Sequence, residues 1–293
     1  MYPVRLVEDA LHFGDFVRVS FHRTLRVPET ARDYPLPPTF GRFPLVELPN
    51  ETSQPEFAIP IRRHEALWIA FESPDWRPSA VKICIGTVNA IDGRLWEAGL
   101  RSNPQNYIVT GTQYWLDGVN AGDNFVRQFV AAPFGKGLTI EEQAARVLEG
   151  TVRIEVFDPK PGRFSDVHVT PEPSEPVYGP AEESPLGLGA GGRIQQTIHA
   201  DPYGYDTWDL TSPALAVVRL LDAASFQSLS GRVAPPTPID AATYSRLGLP
   251  WFKLYEEDAT DIQPAELFRH IRTVSAFEAE TDVDALRVRR IPN

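Results

Sequence analysis

Short runs in which apolar and polar residues strictly alternate recur along the chain and constrain its fold more than any other feature. In 16–21, Val17, Val19 and Phe21 alternate with Arg18 and Ser20; in 152–156, Val152, Ile154 and Val156 alternate with Arg153 and Glu155. Successive side chains of a strand point to opposite faces of its sheet, so this period of two marks strands with one buried face. The spans 66–71, 80–88, 106–110, 124–130, 193–199 and 215–221 have the same apolar, β-branched or aromatic character. Asp92-Gly93 is a tight-turn pair and predicts a hairpin. Val17, Val19, Ile83, Ile85, Val152 and Ile154 are the predicted sheet core.

Helical signals are fewer. Thr139-Ile140-Glu141-Glu142 fits a capping box, with a helix expected to Glu149 and a stop at Gly150. Asp222 can cap a helix to Leu229, and Asp240 another ending at Gly248. Pro264 suits the first turn of a helix through Phe277. Helices do not alternate with strands, which argues against a doubly wound parallel sheet. The expected class is therefore mainly β (α+β): an antiparallel β-sandwich or barrel-like core with a few short helices, mostly in the C-terminal third.

The clearest break in composition is 158–192, which holds seven prolines from Pro159 to Pro185 and then a glycine-rich end. Such a segment buries too little apolar surface to order itself as a core. The expected organisation is a β-rich core over 1–160, an exposed Pro-rich excursion over 161–187, and a final part, 188–293, that completes the same domain with two strands and C-terminal helices. Gly187-Leu188-Gly189-Ala190-Gly191-Gly192 contains GxGxxG in form. It lacks the strand-then-helix setting of a dinucleotide site and reads as a flexible hinge. Val88-Asn89-Ala90 is echoed by Val119-Asn120-Ala121, too short a match to establish a repeat.

The net charge of −11 argues against nucleic acid as a partner, since phosphate neutralisation needs a basic face. The bases are 24 Arg against 4 Lys, a skew that cautions against reading any one Arg as a ligand clamp. The single cysteine, Cys84, excludes an internal disulfide and any site with two thiolates; within a strand-like run it reads as a half-buried, inert residue. No apolar run reaches the roughly 18 residues of a membrane span, and 1–15 has no uninterrupted apolar stretch of the signal type. The expectation is a soluble, cytoplasmic protein with no membrane partner.

Three phrases carry a resemblance: Phe21-His22-Arg23-Thr24-Leu25-Arg26-Val27-Pro28; Tyr34-Pro35-Leu36-Pro37-Pro38 with Gly41-Arg42-Phe43-Pro44-Leu45; and Gly248-Leu249-Pro250-Trp251-Phe252. With the segment 201–209 they resemble a family of uncharacterised bacterial and fungal proteins, over most of the chain outside the Pro-rich excursion. The resemblance implies no activity. It implies that the position of His199 is not reliably histidine in such proteins.

The candidate chemistry concentrates in Asp201-Pro202-Tyr203-Gly204-Tyr205-Asp206-Thr207-Trp208-Asp209. Asp201, Asp206 and Asp209 supply oxygen ligands for a divalent cation such as calcium or magnesium, with a basic side chain, Arg193 or Arg23, as the alternative means of neutralising them. Tyr203, Tyr205 and Trp208 supply ring faces for a sugar or other small molecule. His199-Ala200-Asp201 is an HxD pair that, with His270, has the composition of a non-haem iron facial triad, although 264–271 reads as helix. Asp117 and Asn120 lie in a second polar loop, 117–124, which reads as a turn and could face the first, with His22 beside it; His22 and Arg23 read otherwise as strand residues facing solvent. His64-Glu65 fails the HExxH zinc motif because Trp68 stands at the second histidine position. No residue is assigned as catalytic. The leading expectation is a β-rich binding protein with an acidic–aromatic pocket at 201–209. The alternatives are a metal-dependent enzyme, oxygenase-like or carbohydrate-active, using that pocket, and a structural or assembly protein.

Overall fold

The computed structural model describes residues 3–49, 54–145, 147–164, 186–236 and 262–275. Its strands are β1 (Val4–Val7), β2 (Ala10–Phe13), β3 (Val17–Thr24), β4 (Asp33–Tyr34), β5 (Thr39–Arg42), β6 (Val46–Glu47), β7 (Glu56–Pro60), β8 (Ala66–Glu72), β9 (Ala80–Ile85), β10 (Val88–Asn89), β11 (Ile108–Val109), β12 (Trp115–Leu116), β13 (Gly118–Gly122), β14 (Phe125–Pro133), β15 (Thr151–Phe157), β16 (Leu186–Gln195) and β17 (Ala214–Leu221). Ten strands form a first sheet along β1-β2-β3-β8-β14-β16-β4, with β5 on β3, β12 on β8 and β13 on β14. Seven form a second along β10-β9-β15-β17-β7-β6, with β11 on β9. Pairing is antiparallel except for β16 with β4 and β17 with β7. The mainly β, few-helix class is thus what the chain forms.

The alternation read from the sequence sets which face turns inward. Val17, Val19 and Phe21 of β3 join Leu67, Ile69 and Phe71 of β8 in one core with Ile83, Val152, Ile154 and Val218 of the second sheet. All six predicted core residues are at most 1% exposed. The second sheet's opposite face holds the cross-strand pair Lys82–Glu155, buried beside Trp96. Cys84 lies on this face and is fully rather than half buried; burial pushes its thiol up to about 12.

Several boundaries differ from the expectation. The glycine run is not a hinge but part of β16, hydrogen-bonded along its length to β14. Glycine is needed there for close approach: a Cβ on Gly189 would meet Val274 at 2.7 Å and the Leu138 carbonyl at 2.9 Å, and one on Gly192 the Pro28 carbonyl at 2.5 Å. Leu186 and Gly187 are therefore buried sheet residues, not part of an excursion; residues 165–185 lie outside the described residues, as does the helix expected over 240–248. The capping box at Thr139 is present, but α1 (Ile140–Ala144) ends early because Ala145 is extended. α2 (Ala223–Ser230) is capped by Asp222 and stopped by Gly231 at φ 70°, in the left-handed region. α3 (Glu266–Arg269) is one turn, and Thr273 bridges Ala190 instead of continuing it. The chain reverses at Gly86-Thr87 between β9 and β10, then again around Asp92-Gly93, where Val88 bridges Leu95.

Candidate functional site

Pro202 and Gly204 break the chain at 201–209, leaving a loop with one short 3-10 turn at Tyr205–Thr207. Asp201 organises it. Its Oδ1 accepts from the backbone N–H groups of Tyr203 (2.8 Å) and Gly204 (3.1 Å). Its Oδ2 accepts from the Tyr107 hydroxyl (2.6 Å) and the Trp208 indole (2.8 Å). Four neutral donors thus stabilise this carboxylate, in place of a cation or an arginine. The bond to Asp201 also helps hold the Tyr107 hydroxyl protonated, after burial as the main cause. Arg193 and Arg23 pair elsewhere, with Asp33 and Glu65.

Trp208 is 0% exposed and packs with Tyr107, Val109 and Phe157, so its ring is not available to stack on a ligand. Tyr205 lies half-buried against the same cluster. Asp209 accepts from the Thr211 hydroxyl and backbone N–H, bonds that lower its pKa. Asp206 is exposed. Tyr203 remains 43% exposed at the loop's apex. Its ring meets those of Phe164 and Trp208 nearly at right angles, with centroids 5.2 and 6.2 Å away.

A second wall of this site comes from a segment distant in sequence. Residues 158–164 run alongside the loop: Asp209 N–H donates to the Asp158 carbonyl, Pro159 bridges Trp208, and Lys160 N–H donates to the Thr207 carbonyl. Arg163 reaches the Asp206 carbonyl at 3.5 Å. Phe164, Arg163 and Lys160 therefore join Tyr203 and Asp206 at one rim. No spacing in the sequence indicated this, because the segment sits at the start of the Pro-rich stretch.

A row of glutamines that spacing could not reveal ties this loop to the sheets. Gln105 accepts from Asp201 N–H and donates to the His199 carbonyl; Gln113 accepts from His199 N–H and donates to the Thr197 carbonyl. Gln196 accepts from Asp117 N–H and donates to the Trp115 carbonyl. The Gln105 and Gln113 amides imitate a neighbouring strand's peptide group for 197–201, and the Gln196 amide, reaching the other way, does the same for 115–117.

Asp117 and Asn120 do not join the rim. Asn120 is buried, and its amide donates to the carbonyls of Ile91 and Gln263. Its backbone N–H donates to the Ala90 carbonyl, so the two Val-Asn-Ala phrases lie side by side. Asp117 is 0% exposed, between β12 and β13, and burial pushes its carboxyl up to about 8 despite the nearby Trp115 indole and Gln196 amide. His22 stacks on Trp68 at 4.0 Å and bonds Ser20 and Thr39; burial, then the Arg42 charge, lowers its pKa to about 4. Neither it nor Arg23, buried against Glu65, is the solvent-facing strand residue expected.

Comparison with known proteins brings no identification. No protein-family model, curated protein or solved structure matches the chain. The residues themselves therefore carry the functional argument. Among the described residues, no three His, Cys, Asp or Glu side chains are grouped to hold a metal ion. The iron-triad residues are accordingly not gathered: Asp201 is committed to its four donors, and His270 is an exposed side chain 3.6 Å from Glu266. No described helix is long and apolar enough to cross a membrane.

Proposed function

We propose that the chain is a binding protein whose contact surface is the rim formed by Tyr203, Phe164, Asp206, Lys160 and Arg163. The observation that carries this reading is Tyr203, a large aromatic ring held in the open by a loop that spends its buried polar groups on internal order. Asp201, Trp208, Tyr107 and Gln105 fix the loop, so little conformational freedom remains to be lost on binding, and a preformed contact binds more tightly for that reason. An exposed ring offers an apolar face, while Asp206, Lys160 and Arg163 supply acceptors and donors beside it. That combination suits a hydroxylated ring of the sugar class, whose C–H face packs on an aromatic and whose hydroxyls bond the rim.

Titration of a panel of neutral oligosaccharides, followed by calorimetry and by intrinsic tryptophan fluorescence, tests the reading. At least one should bind, and Tyr203→Ala should weaken it about tenfold or more with an unchanged melting temperature, as expected when an aromatic contact worth about 1.4 kcal/mol is lost. If none binds at millimolar concentration, or if Tyr203→Ala binds as well as the parent, the rim is not the contact surface.

A further inference from the structure

Away from this rim, on the first sheet, Arg127 of β14 stands directly opposite Arg193 of β16 in the antiparallel register. Like charges at opposed positions repel, and a sheet ordinarily avoids them. Arg193 is in turn opposite Asp33 of β4, and its Nε donates to the Asp33 carboxylate. The three residues thus form one row across three strands, two cations and one anion. Phe125 lies under both guanidinium groups, 3.7 Å from that of Arg193 and 6.0 Å from that of Arg127.

Arg127 is the unbalanced member. Its guanidinium lies over the ring of Phe125, and among the described residues no carboxylate pairs with it. Glu29 is near enough to act on it electrostatically, but its carboxylate is only 1% exposed and already accepts from Arg26 and from Ser275 N–H. Arg127 is half-buried, so water compensates its charge incompletely; that burial and the Arg193 charge both disfavour its cationic form. Among the described residues its planar fork of donors bonds to no acceptor.

We infer that Arg127 and Arg193, with Phe125 beneath them, form an anion-binding site for the carboxylate of a small organic acid. One carboxylate balances the single excess positive charge of the row. Its two oxygens match the Arg127 fork in the bidentate arrangement that makes such bonds strong. The organic part of the acid would extend outward from the guanidinium groups that cover Phe125. Arg193, anchored by Asp33, positions the ring and reinforces the field.

The test uses the full chain and two probes, acetate and benzoate, with chloride at matched ionic strength as the control and inorganic phosphate as the comparison. Carboxylate should raise the melting temperature in a saturable way beyond chloride, benzoate more than acetate because its ring can also stack on a guanidinium plane. Arg127→Met should abolish the shift without lowering the melting temperature in chloride, since it removes a repulsion. Arg127→Lys, which keeps the charge but loses the fork, should bind benzoate about tenfold more weakly. A parent protein that responds no more to carboxylate than to chloride overturns the inference. So does an Arg127→Met protein that still responds, or a response to phosphate alone.

Discussion

At Asp117 a carboxyl with no exposure behaves as a neutral acid. The unfolded chain loses this proton near the ordinary value of 3.8, the folded chain near 8. Between those values the folded state holds the extra proton, so stability falls as pH rises through the window, by up to about 1.4 kcal/mol per pH unit. Asp117→Asn keeps the shape and removes the titration. Urea midpoints at pH 5, 7 and 8.5 should show the variant gaining on the parent as pH rises, with the parent's slope flattened; parallel curves would sink the assignment. The sequence marks Asp117 as part of a polar turn, because Gly118, Asn120 and Gly122 follow it. What it could not show is that the position is fully buried, its backbone bonded to Phe129 of β14 and to the Gln196 side chain, so that burial rather than solvent sets its chemistry. Asp201 is the converse case. Its importance was legible from the density of carboxylates and aromatics, yet its role was not, because Tyr107 lies 94 residues away.

Among the elements, strands were legible and their ends were not. The alternation in 16–21 and 152–156 reports a local property, one face buried, and the structure obeys it. The glycine run of β16 was misread because glycine signals flexibility by composition, whereas here its lack of a side chain admits Pro28, Leu138 and Val274 onto the sheet. The helix at Thr139 was overextended because a cap specifies a start and says nothing of length. Least legible is the segment 197–201, whose backbone groups at Thr197, His199 and Asp201 bond to side-chain amides. This gives a sharp expectation. Gln113→Ala should strand the buried His199 N–H and the part-buried Thr197 carbonyl, and a buried backbone group left without a partner costs about 1–3 kcal/mol. The total, about 2–4 kcal/mol by denaturant unfolding, far exceeds that of an exposed glutamine. A loss below about 0.5 kcal/mol would mean that these bonds are replaced without cost and that the glutamine row is incidental.

For the molecule as a whole, the decisive fact is where the last two long strands go. The chain up to Phe164 supplies β1 to β15, and the chain from Leu186 supplies β16 and β17. Neither late strand sits at an edge. β16 enters the first sheet between β14 and β4, and β17 enters the second between β15 and β7. Such pairings join residues as far apart as Asp33 and Arg193, separated by 160 positions, and no local pattern encodes them. The sequence could therefore suggest that the part beyond the Pro-rich stretch completes the fold, but not how. The topology makes that suggestion testable without reference to residues 165–185 themselves. A specific protease site inserted between residues 170 and 180 and cut in the folded protein breaks the covalent link but leaves every described sheet pairing in place. The two pieces should elute together in native size-exclusion chromatography and unfold in one cooperative transition, because neither sheet is complete without both. They should separate only in denaturant. Pieces that part under native conditions, each with its own melting transition, would show two independent domains and overturn the interleaved arrangement.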